Sequence, residues 1–472
     1  MAKTRMRDMI VLLPGITGSV LKKDGRELWG LSFRSLWNAL PRPHVALQQL
    51  KLGDDDLIKD DLGDGITATG LMPDAHLIPF FWKIDGYTAI RKAIQNYFEI
   101  RPDVNYFEFP YDWRRDMRYI AGSLARFIEP RIEQCRKLNK DAKVIFLAHS
   151  MGGLIARYYA EVLEGWKNCR ALITFGTPHR GSVKALDFLA NGNKNLIVDL
   201  TDVVRSFTST YQLLPIYQMV NVNGRFQRVA ETLNIPNVDQ ERAKQALAFH
   251  REIEFAVNRH LKDERYLKEY RTIPIVGTQQ PSYQSAELSG GILQVSRKVP
   301  WLIDSLLEDG DGTVPRVSAT PIELGEEYRE TFHPEIHGSL QNNKQILSGL
   351  LDRLKQMQIP NLSAIRGPGI VSSALGRPAI AIEIQDLYAN SEPVVIRARL
   401  LNTDKAMGGV KARIENSSGS GILSETDFEA DGDEWIISIK NLPPDLYRVS
   451  VRTVNAGPEA PPAIHDIFEV AI

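Results

Sequence analysis

The apolar run Lys143-Val144-Ile145-Phe146 leads into Leu147-Ala148-His149-Ser150-Met151-Gly152-Gly153, and a helical pattern begins at once. A serine delivered from a strand into a helix sits on a sharp, strained turn that lifts its hydroxyl clear of the sheet. That turn closes only when the residues two positions to either side are small. Ala148 and Gly152 occupy those positions, alanine standing where glycine is commoner. The segment therefore commits this part of the chain to strand, turn and helix, and it marks Ser150 as a nucleophile suited to acyl transfer. The competing reading, a glycine-rich turn with an incidental hydroxyl, depends on whether the chain also supplies a base and an acid.

The strand-then-helix rhythm runs from Met9 to Leu351, the pattern of a mostly parallel sheet covered on both faces. Strands are expected at Met9–Leu13, Val104–Phe109, Lys143–Ala148, Ala171–Phe175 and Arg271–Val276. One long helix is expected from the three- and four-residue spacing of Ile120, Leu124, Phe127, Ile128, Ile132, Cys135 and Leu138. Residues 183 to about 270 carry helical patterns alone, too long for an ordinary connection, and predict a cap over the site. Residues 28–84 form a second, aromatic insertion with Trp29, Phe33, Trp37, Phe80, Phe81 and Trp82, rings expected to pack beneath a long loop rather than face lipid.

Beyond Leu351 a turn-rich stretch, Asn361 to Gly369, reads as a linker. Helical spacing then gives way to two-residue alternation at Ala379–Ile384, Pro393–Leu401, Val410–Glu415, Trp435–Ile439, Tyr447–Val454 and Ile467–Ile472. Short strands punctuated by Gly, Asn, Asp and Pro predict an antiparallel β-sandwich, immunoglobulin-like or fibronectin-like. The expected organisation is an α/β domain over residues 1–360 and a sandwich over 370–472.

Composition narrows the partners. A net charge of -1 with no long basic run argues against a nucleic-acid partner and against electrostatic capture by acidic lipid, so any peripheral membrane contact must be hydrophobic. The basic lead before Met9 is too short for a signal peptide, and no run of about eighteen apolar residues suggests a spanning helix. With Cys135 and Cys169 alone there is no disulfide framework, which fits a reducing compartment and a cytoplasmic location. The aspartates of Gly53-Asp54-Asp55-Asp56, Asp60-Asp61, and Asp427, Asp431 and Asp433 do not follow the spacing of a twelve-residue calcium loop and read as solvated loops. No metal or cofactor is expected.

A serine nucleophile needs a base and an acid, and on a strand-to-helix elbow they follow it in the order acid, then histidine. Glu308-Asp309-Gly310-Asp311-Gly312-Thr313-Val314-Pro315 is a glycine-rich turn carrying acids. A last strand, Glu326 to Phe332, is followed by His333-Pro334-Glu335-Ile336-His337-Gly338 and a final helix. His337 is preferred over His333 because Gly338 allows a tight turn and the helix follows at once. Asp311 is preferred over Asp309 on its Gly312-Thr313-Val314 context. His149 precedes the nucleophile, so its side chain should diverge from Ser150. The oxyanion needs two backbone donors, Met151 N–H by position and, from Pro14-Gly15-Ile16-Thr17-Gly18-Ser19, Ile16 N–H.

Pro14-Gly15-x-x-Gly18-Ser19, Trp29, the tetrad Tyr111-Asp112-Trp113-Arg114, the Ser150 elbow, Tyr211-Gln212-Leu213-Leu214-Pro215 and Gly310-Asp311-Gly312-Thr313-Val314 together resemble the lecithin:cholesterol acyltransferase family. Phe175-Gly176-Thr177-Pro178-His179-Arg180-Gly181 is similar to a segment of related bacterial lipases. The resemblance spans roughly residues 9–350 and leaves the sandwich aside. It implies an α/β-hydrolase with a lid that acts on phospholipid or neutral-lipid esters and passes the acyl group to water or an alcohol. Carried over by motif, Ser150, Asp311 and His337 would be the triad and Ile16 and Met151 the oxyanion hole. Trp113, Arg114 and Thr17 would lie beside the site as substrate contacts, with packing of the strand against the cap the rival role for Trp113 and Arg114. The absent secretion signal and unpaired cysteines argue against extracellular lipoprotein-type substrates.

Two alternatives stand beside a lipid-ester hydrolase or acyltransferase. One is an esterase for small soluble esters. The other is a recruitment protein whose sandwich binds a protein or glycan partner, with simple buttressing of the hydrolase as the sandwich's competing role.

Overall fold

A computed structural model describes residues 3–30, 47–72, 76–77, 83–84, 86–192, 200–301, 303, 305–324, 332–359, 378–403, 409–416, 422–454 and 460–471. Its centre is a six-stranded parallel sheet made of β1 (Met9–Leu13), β2 (Tyr106–Glu108), β3 (Val144–His149), β4 (Cys169–Phe175), β5 (Thr272–Gly277) and β6 (Phe332–His333). In space they run β6-β5-β4-β3-β1-β2. Every residue of β1 and β3 is buried, which is why both strands read as continuous apolar runs rather than as alternation.

Helix α1 (Met117–Leu138) begins at Asp116, whose carboxylate accepts the Arg118 N–H at 2.7 Å. It buries Met117, Ile120, Leu124, Ile128, Ile132 and Cys135 in one stripe. Leu138, expected on that stripe, is instead exposed, because the helix ends there and the chain turns away at Asn139. Helix α2 (Met151–Glu161) leaves the elbow and is wholly buried, while α3 (Lys344–Met357) closes the α/β unit.

The two insertions depart from their sequence patterns. Residues 183–270 are not helical throughout. Val220–Val222 and Arg225–Gln227 form a hairpin, which joins Ser285–Ser289 and Ile292–Ser296 from beyond β5 in a small four-stranded sheet. Three-residue strands are too short to show a period, so their pairing comes from tertiary contact. In the aromatic insertion, Arg26–Trp29 and Ile66–Leu71 flank Ser19–Lys23 in a three-stranded sheet, and Trp29 is buried. Phe33, Trp37, Phe80, Phe81 and Trp82 lie outside the described residues, as do the expected strand residues before Phe332 and the linker. The aspartate-rich segment is not merely solvated. Asp55 pairs with Arg115 at 3.1 Å and accepts the Asp116 N–H at 2.6 Å, tying the insertion to the start of α1.

The C-terminal part is all-β. One sheet orders β7 (Ala379–Ile384), β9 (Val394–Leu401), β13 (Glu434–Ile439) and β12 (Glu429–Asp431) as β7-β9-β13-β12. The other orders β8 (Leu387–Ala389), β10 (Val410–Asn416), β11 (Ile422–Asp427), β14 (Asp445–Thr453) and β15 (Ile464–Ala471) as β8-β15-β14-β10-β11. All neighbours are antiparallel except the short β8, which runs parallel to β15. Val394, Ile396 and Ala398 face Val410, Ala412 and Ile414 in a core of its own, separate from that of the parallel sheet. The Tyr447 hydroxyl donates to the Pro443 carbonyl at 2.6 Å, the corner-pinning bond common in such sandwiches.

Candidate active site

Ser150 has φ 51° and ψ -123°, a conformation a non-glycine residue occupies only when its surroundings impose it. Its N–H donates to the Phe175 carbonyl at 2.9 Å, carrying the β3–β4 ladder one residue past the strand end. Its carbonyl accepts the Thr177 hydroxyl at 2.9 Å. The strained peptide is thus gripped from both sides by β4 and the residues after it.

His337 and Asp311 arrive on loops beyond the sheet and complete a chain of hydrogen bonds. The Ser150 Oγ lies 2.9 Å from His337 Nε2, and His337 Nδ1 lies 2.7 Å from Asp311 Oδ2. Asp311 Oδ1 accepts the Thr313 and Val314 N–H groups at 3.0 and 2.7 Å, and the His337 N–H donates to the Asp311 carbonyl at 2.9 Å, so both side chains are held in orientation. His333 instead continues the ladder through its carbonyl, which accepts the Thr278 N–H. Asp309 is tied to Arg316 and the Gln279 N–H. Gly176 sits where the elbow meets this pair. Its φ is 56°, and a Cβ there would stand 2.9 Å from both Asp311 Oδ2 and His337 Nδ1.

The loop Pro14 to Ser19 lies against Ser150, since a Cβ on Gly15 would stand 3.0 Å from Ser150 Cβ. Four aromatic side chains pin its backbone. The Tyr111 hydroxyl donates to the Pro14 carbonyl at 2.6 Å, and the Gly15 N–H donates to the Tyr87 hydroxyl at 2.7 Å. Trp29 Nε1 donates to the Thr17 carbonyl at 3.0 Å, and Trp113 Nε1 to the Ser19 carbonyl at 3.1 Å. Among the described residues the Ile16 and Met151 N–H groups donate to no protein acceptor, although both residues are buried. Free, buried N–H groups beside a serine are what a developing oxyanion requires.

His149 does diverge from Ser150, yet it returns beneath the site. Its Nδ1 lies 3.0 Å from the Tyr87 hydroxyl and its Nε2 lies 3.1 Å from the His337 carbonyl. A carbonyl can only accept, so Nε2 carries the proton. The Tyr87 hydroxyl, already accepting from Gly15, then donates to Nδ1. Burial, with a smaller push from His337, pulls the His149 pKa down to about 3, which keeps the ring neutral. The link through Tyr87 and His149 is not legible in the sequence, because Tyr87 lies 62 residues from His149 along the chain and His149 lies 188 from His337.

The expected substrate contacts Trp113, Arg114 and Thr17 are all buried. Trp113 is 1% exposed and packs edge-on to Trp29 and Phe207. Arg114, expected as a possible substrate contact, is fully buried, with its guanidinium donating to Asp112, Asp64 and the Leu50 carbonyl. A buried cation needs such partners, and they leave the packing role as the one observed. Thr17, at φ 63°, is buried and donates its hydroxyl to the Ile16 carbonyl. Among the described residues no group of three or more His, Cys, Asp or Glu could hold a metal, and no helix is long and apolar enough to cross a membrane.

A parallel sheet with helices, a serine on the elbow after its central strand and an acid–histidine pair on later loops define an α/β-hydrolase, here followed by an all-β domain. Residues 68–270 match the model of the family described as Lecithin:cholesterol acyltransferase. The match includes Tyr111–Arg114 and Ser150 and stops short of Asp311 and His337. No curated protein matches the chain. Among solved structures, Bacillus licheniformis lipase BlEst2 in mature form aligns at 13% identity over 74% of this chain and 91% of its own, with a TM-score of 0.32. The propeptide form of that lipase aligns at 11% identity over 98% and 93%, with a TM-score of 0.36. The CARDB domain of the PF1109 protein from Pyrococcus furiosus aligns at 11% identity over 21% and 96%, with a TM-score of 0.15.

Proposed function

We propose that this chain is a lipid-ester hydrolase or acyltransferase that works through an acyl-enzyme on Ser150. The observation that carries the reading is the unbroken bond path from Ser150 Oγ through the two nitrogens of His337 to Asp311. Ser150 attacks the acyl carbonyl while His337 Nε2 takes its proton, and Asp311 holds the ring and stabilises the imidazolium. The Ile16 and Met151 N–H groups receive the oxyanion of the tetrahedral intermediate. Collapse expels the alcohol, protonated by His337, and water or a second alcohol then attacks the acyl-enzyme with His337 again as base. Residues 183–270 act as the cap. Ser150 and His337 are each only 4% exposed, so a long acyl chain reaches them after the groups above the site move.

The test is labelling with a fluorophosphonate probe and turnover of a mixed phospholipid and triglyceride extract, with and without an added alcohol. Ser150→Ala should abolish labelling and lower turnover by about 10⁴-fold or more. Undiminished labelling would put the nucleophile elsewhere. Free fatty acid as the sole product identifies a hydrolase, and a new ester identifies a transferase. A rate that rises across the micellar threshold of the substrate separates a lipid enzyme from an esterase for soluble esters.

A further inference from the structure

The two loops that carry Asp311 and His337 are fastened to the C-terminal sandwich, each by a different device. Ile336 immediately precedes His337 and has extended backbone, φ -82° and ψ 154°, so the two neighbouring side chains leave the chain in opposite directions. His337 reaches Ser150. Ile336 joins the sandwich's own hydrophobic core, in the cluster of Ile380, Ile382, Tyr388 and Phe468, and is buried there.

Gln280 does the same for the acid. Its backbone exchanges hydrogen bonds with Gly310, the residue before Asp311, at 3.0 and 3.2 Å. Its side-chain amide donates to the Ile380 carbonyl at 3.1 Å and accepts the Ile382 N–H at 3.3 Å. A carboxamide bonded to both groups of a strand imitates one more residue in the ladder, here along the free edge of β7. Gln280 is buried, so these bonds are shielded from water. Behind the pair lies a cavity of about 240 Å³, lined by Asp311 and His337 on one side and by Ile382, Ile384, Asp386 and Asp466 on the other. If the fastening is lost, the loops have room to relax into that space.

We infer that the sandwich positions the Asp311–His337 pair, with Ile336 and Gln280 as positioning residues, and is not only a docking module or a distant buttress. The inference rests on the proposed roles of Ser150, His337 and Asp311. It predicts that slackening the junction lowers the chemical step without weakening substrate binding, because a displacement of about 1 Å can reduce a rate about 100-fold.

The experiment uses the full chain in five forms: wild type, Ile336→Ala, Ile336→Val, Gln280→Leu and Ile414→Ala. Ile414 is buried more deeply in the sandwich core, on β10 of the sheet opposite β7, and controls for loss of sandwich stability. Hydrolysis of p-nitrophenyl butyrate is measured at a temperature where melting curves show each variant folded. Ile336→Ala and Gln280→Leu should lower kcat by about 10- to 100-fold with KM within about twofold. Ile336→Val should recover most of the loss, and Ile414→Ala should keep the wild-type kcat.

Amide hydrogen exchange supplies a readout that needs no catalysis. The N–H groups of Thr313, Val314 and His337, which bond to Asp311, should exchange faster in the two junction variants and not in Ile414→Ala. An unchanged or raised kcat in folded Ile336→Ala, or unchanged exchange at those amides, overturns the inference while leaving the Ser150 mechanism intact. Failure of the fluorophosphonate to label wild-type Ser150 overturns the mechanism, and exchange then still reports whether the sandwich fixes the loops.

Discussion

The proposed nucleophile, Ser150, and the proposed acid–base pair, Asp311 and His337, are supported in different ways. Ser150 and the Pro14–Ser19 loop beside it stand on the parallel sheet. The elbow is an extension of the β3–β4 ladder, and the loop after β1 is pinned by Tyr87, Tyr111, Trp29 and Trp113. Asp311 and His337 sit on loops near the sheet's far edge, beside β6, of which Phe332–His333 are the described residues. Their side chains are held by each other, by the Thr313 and Val314 amides, and by the sandwich beyond. A sheet fixes a backbone through many shared bonds, whereas a loop needs a partner brought from elsewhere. The difference suggests that one site is assembled from a rigid half and a fastened half.

The sharpest way to break the comparison is at the seam. Gly176→Ala would place a methyl 2.9 Å from Asp311 Oδ2 and His337 Nδ1, at a φ of 56°. It should lower kcat by about 100-fold by prising the two halves apart, measured as turnover of a soluble ester. Near-normal activity would mean that the acid–base loops yield freely, against the fastened picture. A smaller effect tests the rigid half. Tyr87→Phe removes one oxygen, leaving the buried Gly15 N–H without its acceptor, a loss of about 1–3 kcal/mol. A kcat reduced about tenfold with KM unchanged is expected, and an unchanged kcat would show that the aromatic pins are redundant.

The smallest effect concerns stability rather than rate. His149 and His250 are buried, and burial lowers their pKa values to about 3 and about 4, below the unfolded value near 6.5. Over that window the unfolded chain binds more protons than the folded one, so stability falls as pH drops from about 6.5 towards 4. His260, raised chiefly by its hydrogen bond to Glu161, works in the opposite sense, its stabilisation fading as pH rises through its folded pKa. Melting temperatures between pH 7 and pH 4 should decline, and His250→Gln should flatten part of that slope. An identical slope in the variant would remove His250 as a source.

Much of the rigid half can be read along the chain. Lys143 to Gly153 specifies strand, elbow and helix locally, since small residues two positions from a strained serine are a steric requirement that composition records. The glycine-rich turn at Asp311 and the short loop before α3 likewise point to the acid and the histidine. The tetrad Tyr111–Arg114 is conspicuous in sequence, but its work as a brace for the Pro14–Ser19 loop and for the 47–72 segment depends on contacts far along the chain. Ile336 is one apolar residue among polar neighbours, and no local period says which core will take it.

The sequence by itself determined the layered α/β class and the β-rich C-terminal part, which follow from periodicity, and it pointed to Ser150, Asp311 and His337 as candidates through the elbow's steric demands and the context of two glycine-bearing turns. Tertiary structure alone decided that Tyr87 and His149 link the Gly15 peptide to the His337 carbonyl, that the 183–270 insertion shares a sheet with residues 285–296, and that Gln280 and Ile336 meet the sandwich. These last are pairings between distant segments, and such pairings are set by which surfaces can be buried together rather than by any residue's immediate neighbours.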